Sequence, residues 1–373
     1  MSSVPRPRRH RYGLDGTLRL RPLGIGLLAL ASTGCELQEV TLAEPPVDVV
    51  VVEGLVQVGI PAPGGAPVSV DRLSVLLHRT VQGDEGLNTP VPGALVEIRN
   101  RRGAVYPLIE LGDPSPCVSS TPVEATGTCY VLAPPELNVH PALQPGDTLD
   151  LVVTLEDGGV GRSTTVLPGD FDLIGPRNEE TCVILPDTPF PFTWSASEGA
   201  WAYVAETQIY GLTEALAPRG IEVEVDPLFL LGLSVSAADT TIAFPAEFGV
   251  FDRFDLQRDV AVVLQAGMPP GTWAQVAIAA VERNYVNWIR GGNFNPSGTV
   301  RIPSVTGDAT GFFGAASTRW AEVLVNPPPQ GGVYAAPRCR TAGSFQGGSY
   351  GGEPGRVSPD RERAGPRPPA RRR

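Results

Sequence analysis

Lysine does not occur in this 373-residue chain, and histidine is limited to His10, His78 and His140. Every other basic side chain is arginine, a bias we attribute to a high-GC genome. So few histidines leave little for a Ser-His-Asp triad or a His-rich metal site to draw on. His78 falls in a predicted strand and reads as a half-exposed strand position, while His140 sits in a Pro-flanked loop, Asn138-Val139-His140-Pro141. Cys-x-x-Cys spacing is missing, which removes the commonest zinc signature. Helical periodicity is scarce. Glycine and proline, 43 and 39 in number, recur throughout and divide the chain into short segments.

The net charge of -11 is unevenly placed. The first 22 residues carry six arginines against one acid, and residues 338–373 carry nine against three. The body between them is therefore more acidic than the net value indicates. Nucleic acid is excluded as an expected partner, because phosphate contacts need clustered basic groups.

At the N-terminus, Arg6, Arg8, Arg9, Arg11, Arg19 and Arg21 precede an uncharged apolar stretch, Leu23–Ala31. That stretch is far shorter than the roughly 20 apolar residues a spanning helix needs. Basic flank, short apolar core and small residues are the order of a signal peptide, expected over 1–34. Ala31-Ser32-Thr33-Gly34-Cys35 resembles the lipobox of bacterial lipoproteins, with Ser32 where that motif usually has leucine. The resemblance implies that Cys35 is acylated and anchors the chain to a membrane, with 35–47 as a linker. At the other end, residues 340–373 are rich in Gly, Pro and Arg and are expected to be disordered.

With Cys35 set aside, Cys117, Cys129, Cys182 and Cys339 remain, an even number that fits disulfides in an oxidising compartment. Three pairings are open. Cys117–Cys129 with Cys182–Cys339 is favoured, because the first would staple a hairpin loop and the second would tie the start of the second domain to its exit.

Short runs of Val, Ile, Leu and Thr between turn signals point to an all-β protein of two Ig-like or fibronectin-like β-sandwich domains, 48–174 and 180–326. The boundary is placed in the polar segment Gly175–Thr181. Strands are expected near Val49–Val58, Leu73–Thr80, Ala94–Asn100, Cys129–Leu132, Thr148–Leu155 and Gly161–Val166. Leu151–Leu155 is apolar enough to read as buried on both faces. In the second domain Val260–Gln265, Trp273–Val281 and Trp320–Val325 read as strands, and Leu228–Leu233 as strand or short helix. Trp194, Trp201 and Tyr203 read as core residues.

Val50-Val51-Val52-Glu53-Gly54, Leu73–Thr80 and Pro90–Ile98 together resemble the start of an uncharacterised lipoprotein family of Gram-negative bacteria, and Thr310–Ala315 is similar to its Gly-x-Phe-Gly ending. The Pro-Gly-Ala-Leu-Val strand also resembles carboxypeptidase regulatory-like domains, a transthyretin-type sandwich. Phe190–Glu206 resembles the opening of fibronectin type III-like sandwiches. These resemblances imply an outer-envelope location and no transferable activity.

No catalytic set, metal site or cofactor is expected. Gly347-Gly348-Ser349-Tyr350-Gly351 matches the nucleophile elbow in letters only, since that motif needs a preceding strand and a following helix. Asp252, Asp255 and Asp259, and Asp147 with Asp150, read as solubilising turn acids; paired for acid–base work on a glycoside, they would give the rival reading of a glycan hydrolase. Tyr285, Trp288 and Arg290, in a stretch read as an exposed loop or crossover, are the side-chain types enriched at interfaces and are the candidate binding residues. The sequence thus points to an exported, lipid-anchored binding or scaffold protein of the outer membrane, whose partner is an envelope protein or surface glycan. A purely structural spacer is the third reading.

Overall fold

The computed structural model describes residues 48–62, 69–80, 89–117, 127–133, 142–234, 236–249, 256–291, 302–329 and 333–341. The signal segment, the linker through residue 47, His140, Asp252, Asp255 and the Gly/Ser segment 347–351 lie outside them. The chain from Pro46 onward forms one compact unit. No helix among the described residues is long and apolar enough to cross a membrane.

Strands dominate, as the patterning predicts. The first half contributes β1 (Val50–Pro61), β2 (Ser69–Arg79), β3 (Leu95–Asn100), β4 (Val105–Leu111), β5 (Thr128–Leu132), β6 (Thr148–Thr154) and β7 (Val160–Val166). Next come β8 (Leu173–Gly175), β9 (Glu180–Val183), β10 (Phe190–Trp194), β11 (Ala202–Tyr210), α1 (Leu212–Leu216), β12 (Leu228–Leu233) and β13 (Thr241–Phe244). The chain closes with α2 (Arg258–Ala266), β14 (Trp273–Val281), α3 (Arg283–Gly291), β15 (Thr306–Gly307), β16 (Ala309–Leu324) and β17 (Arg338–Thr341). Arg340 and Thr341, expected in the tail, thus belong to a strand paired with β9.

The large sheet runs in the order β12-β11-β14-β16-β1-β2-β5-β4-β3-β6-β7-β15, with β9 and β17 branching at the far end of β16. It returns on itself. β15 pairs with β7 at one end of the order, and two residues later the chain enters β16, which pairs with β1. The first half is therefore a folded-over sandwich whose open edges meet at the β15–β16 join. Asp308 holds that join, its amide donating to the Val160 carbonyl and its carboxylate accepting from the Val160 amide at 2.8 Å.

β16 is the strand on which both halves are built. It pairs in parallel with β1 over Ala309–Ser317 and antiparallel with β14 over Ala316–Leu324. A strand flanked on both edges and covered on both faces needs small side chains, and it supplies Gly311, Gly314, Ala315, Ala316, Ser317 and Ala321. Gly311 adopts a φ of 116° and lies so close to β1 that a Cβ would sit 2.1 Å from the Val52 carbonyl oxygen. Only glycine fits there.

The apolar core gathers into clusters, and the first takes Val305, Ala309, Phe313 and Ala315 from the range expected to form the second domain. Val52, Val75, Ile98, Tyr106, Leu151 and Phe313 belong to a cluster between the layers of the first half. Phe192, Trp194, Tyr203, Phe244, Leu264 and Val276 belong to a second, under β10 to β14. Leu228–Leu233 resolves as strand. Val260–Gln265, expected as a strand, is helix α2: Val260, Ala261 and Leu264 are buried, the one-face spacing of a helix. Trp201, expected in the core, is 52% exposed, with the Arg283 guanidinium 5.3 Å from its ring centre. Leu151–Leu155 is not buried on both faces, since Leu149, Leu151 and Val153 point inward while Val152 and Thr154 are half-exposed.

Both disulfides close in the favoured pairing, Cys117–Cys129 and Cys182–Cys339. They span 12 and 157 residues. By loop-closure entropy these are worth about 3 and about 5 kcal/mol. Replacing Cys182 and Cys339 by Ser is expected to lower the urea midpoint more than replacing Cys117 and Cys129. Equal losses would contradict the topology.

Candidate functional site

Alternation along the central strands sends one set of side chains into the two cores and the other to the opposite, outer face. On β11, Tyr203, Ala205 and Ile209 face the core, so Val204, Glu206 and Gln208 face outward. Register carries this face across the sheet. Glu206 lies beside Ala277, and Ala277 beside Trp320. Val204, Ala279 and Thr318 form the next row, then Ala202, Val281, Ala316, Gln57 and Arg72.

Helix α3 lies over one end of this face. Tyr285 and Val286 are buried against Val204, Val281, Phe312 and Ala316, and Trp288 stacks on Phe312 with ring centres 4.7 Å apart. Gly314 makes the close approach possible, because a Cβ there would meet the Tyr285 Cβ at 3.0 Å. The helix start is fixed by the buried Glu282. Its carboxylate accepts from the amides of Asn284 (2.6 Å) and Tyr285 (2.9 Å). Burial raises the Glu282 carboxyl above the usual range, and those amide donors pull it back. The Asn284 side chain donates to the carbonyls of Thr164 and Phe313, both at 3.0 Å, tying α3 to β7 and β16. The stretch expected as an exposed loop or irregular crossover is thus a helix, with Tyr285 buried. Trp288 is half-buried, and Arg290 falls within the last turn.

The same outer face carries charged and polar groups. Arg72 donates through Nε to Gln57 Oε1 at 3.1 Å, and a second time through Nη2. Its charge acts on Glu206 and Tyr285. Arg72 and Glu206 stand on strands separated by β1, β16 and β14, which in a flat sheet sets them roughly 19 Å apart across the strands. The two do not close into an ion pair, and among the described residues Glu206 makes no hydrogen bond. Desolvation raises the Glu206 carboxyl above its ordinary value, an effect Arg72 opposes. Desolvation likewise lowers the Arg72 guanidinium and raises the Tyr285 phenol. In the row between them, Thr318 is 2% exposed and its Oγ1 has no hydrogen-bond partner.

Beyond this cluster the same face carries Tyr210 stacked on Trp273, with centres 4.0 Å apart, and the amides of Gln208 and Gln275. Glu206 and Arg72 were missed from sequence because each reads as an ordinary strand position; the signal available was a lone acid inside the apolar run Tyr203–Ile209.

The other candidates do not converge. Asp147 is buried, bonded to Arg102 Nη2 at 2.6 Å and to the Gln144 amide. Asp150 points to the opposite face of β6 and accepts from Thr164 at 2.6 Å. Asp259, in the first turn of α2, lines an open cleft of about 260 Å³ with Glu222, Gln257 and Arg258. His78 is buried rather than half-exposed, its Nδ1 3.1 Å from the Arg79 carbonyl oxygen. Glu180, Cys182 and Cys339 come together, but the two sulfurs are bonded to each other. No protein-family model matches the chain, and no curated protein matches it.

A carboxyl held above its usual range binds its proton more tightly in the folded state than in the unfolded. Ionisation therefore removes stability as pH rises past the ordinary value of 4.5. Glu206→Gln is expected to be more stable than the parent at pH 7 in urea unfolding. The advantage should vanish as the pH is taken below 4.5. A parent more stable than the variant at pH 7 would contradict this account of Glu206.

Proposed function

We propose that the protein is an exported, lipid-anchored, non-catalytic binding or scaffold protein of the cell envelope, held in the outer membrane through Cys35 and contacting its ligand with the outer face beside α3. One observation carries the binding reading. Arg72, Glu206 and Thr318 stand on that face, the two charges desolvated and Thr318 Oγ1 buried without a hydrogen-bond partner among the described residues. Desolvated charges and unpartnered buried polar groups are costly, so their presence on one face supports a ligand site. Strain of this kind, kept where stability alone would remove it, is characteristic of functional surfaces.

Export is supported by the order of the first 35 residues and by the two disulfides, bonds that persist in oxidising compartments. The anchor reading follows from Cys35 directly after Ala-Ser-Thr-Gly. Tyr285 and Trp288 serve the site by packing α3 onto the sheet.

Intact-mass analysis of the membrane fraction tests the placement. The expected result is a mass increase of diacylglyceryl size with membrane retention, both lost in Cys35→Ala. An unmodified product in the soluble fraction would contradict the anchor and leave a secreted protein.

A further inference from the structure

We propose that the end of the outer face away from α3 binds a polyuronic acid, a glycan whose rings each carry a carboxylate. The binding strip runs from the Tyr210–Trp273 pair across the sheet to Arg338 and Arg340 on β17. It lies beyond the part of the face beside α3 and shares no residue with it. Register sets the strip out in two rows. In the first, Tyr210 lies beside Trp273, Trp273 beside Leu324, and Leu324 across Val183 from Arg338. In the second, Gln208, Gln275, Glu322, Thr181 and Arg340 follow one another on the same face. All of these side chains are accessible. Trp273 is 40% exposed, Gln208, Arg338 and Arg340 are exposed as well, and the others are half-buried. Their bonding capacity is also open. Gln208 Oε1 accepts from the Tyr210 hydroxyl at 2.5 Å, which leaves the amide N–H groups of Gln208 without a described acceptor. Thr181 donates to Glu322 Oε2 at 3.1 Å, and neither Arg338 nor Arg340 has an acidic partner among the described residues.

A sugar ring has apolar C–H faces and a rim of hydroxyls, and the strip offers a counterpart to each. Tyr210 and Trp273 each cover one ring face of the other, and the exposed Trp273 keeps its second face for stacking. Amides donate and accept, and a carboxylate accepts, so Gln208, Gln275 and Glu322 match hydroxyls. Protein interfaces centre instead on a desolvated apolar core, whereas the middle of this strip is polar. The charge stands at the far side. Trp273 and Arg338 are three strand spacings apart, roughly 14 Å, so a single sugar does not reach both and an oligomer does. Beyond the two arginines of β17, residues 342–373 carry seven arginines against three acids, which makes this end of the chain positive. A guanidinium takes a carboxylate through two parallel hydrogen bonds, a strong and directional contact. A polyuronate presents a carboxylate at β17 whichever of its rings stacks on Trp273, and a neutral glycan presents none.

The test is titration calorimetry at pH 7 on the full chain in detergent. Probes are tetragalacturonate, its fully methyl-esterified form, tetraglutamate and tetrathymidylate. We expect tetragalacturonate to bind and its ester to bind at least about 10-fold more weakly, the loss expected for one charge-assisted contact. Trp273→Ala should weaken tetragalacturonate binding at least about 10-fold, the effect of removing an interface anchor. Arg338→Gln combined with Arg340→Gln should remove the advantage of tetragalacturonate over its ester. If a variant fails to fold, the probe series on the parent chain decides alone. No binding of tetragalacturonate, or its ester bound equally well, overturns the proposal. Tetraglutamate or tetrathymidylate bound as tightly overturns it too, because charge alone, as in an acidic peptide or a nucleic acid, would then account for the contact. None of these measurements alters Arg72 or Glu206, so the reading of the face beside α3 stands or falls separately.

Discussion

The pairing of β16 with two different strands is the constraint on which the rest depends. Its first half hydrogen-bonds to β1 and its second half to β14, and the last three residues also pair with β9. Because backbone donors and acceptors must be paired when buried, neither half of the sheet has a complete edge without it. The two cores form on the same side of this strand, the first around Phe313 and the second around Ala321 and Val323. Its small residues follow from the same demand. They let β1 approach at Gly311 and let α3 descend at Gly314, and larger side chains at either place would push a neighbour away.

The continuous outer face is a consequence of that pairing. β16 joins the two halves into one sheet, and α3 closes one end of its outer face. Arg72 from β2 and Glu206 from β11 then share a surface that neither half has alone. The strand that completes both halves therefore also places these two charges on one face of one sheet. Their desolvation costs the folded state some stability.

Much of the fold was legible in the sequence, for identifiable reasons. Val96-Glu97-Ile98-Arg99 alternates cleanly, and β3 buries Val96 and Ile98 as that pattern requires. Cys117 and Cys129, so close in sequence, had a plausible hairpin to staple. β4 was not seen because Pro107 interrupts its apolar run, and proline in a run argues against a strand; β4 lies between β3 and β5, but its pairing with β5 begins at Leu108, so Pro107 sits beyond that ladder. Val260–Gln265 was read as a strand because short β-branched runs do not show their period. The site was the least legible part. Tyr285 and Trp288 stood out by residue type, but their helix was hidden by the glycines and asparagines that follow. The partnership of Arg72 with Glu206 exists only through the register of five strands, and local sequence holds no trace of it.

The central claim is that β16 makes the body from Pro46 a single cooperative sheet. Native-state hydrogen exchange with residue resolution tests it most directly. The account predicts that amides of Phe313–Ala321 exchange only through global unfolding, and that β1 and β14 amides share the same free energy and denaturant dependence. Two separate classes, with β1 to β7 opening at one free energy and β11 to β14 at another while β16 follows only one of them, would contradict it.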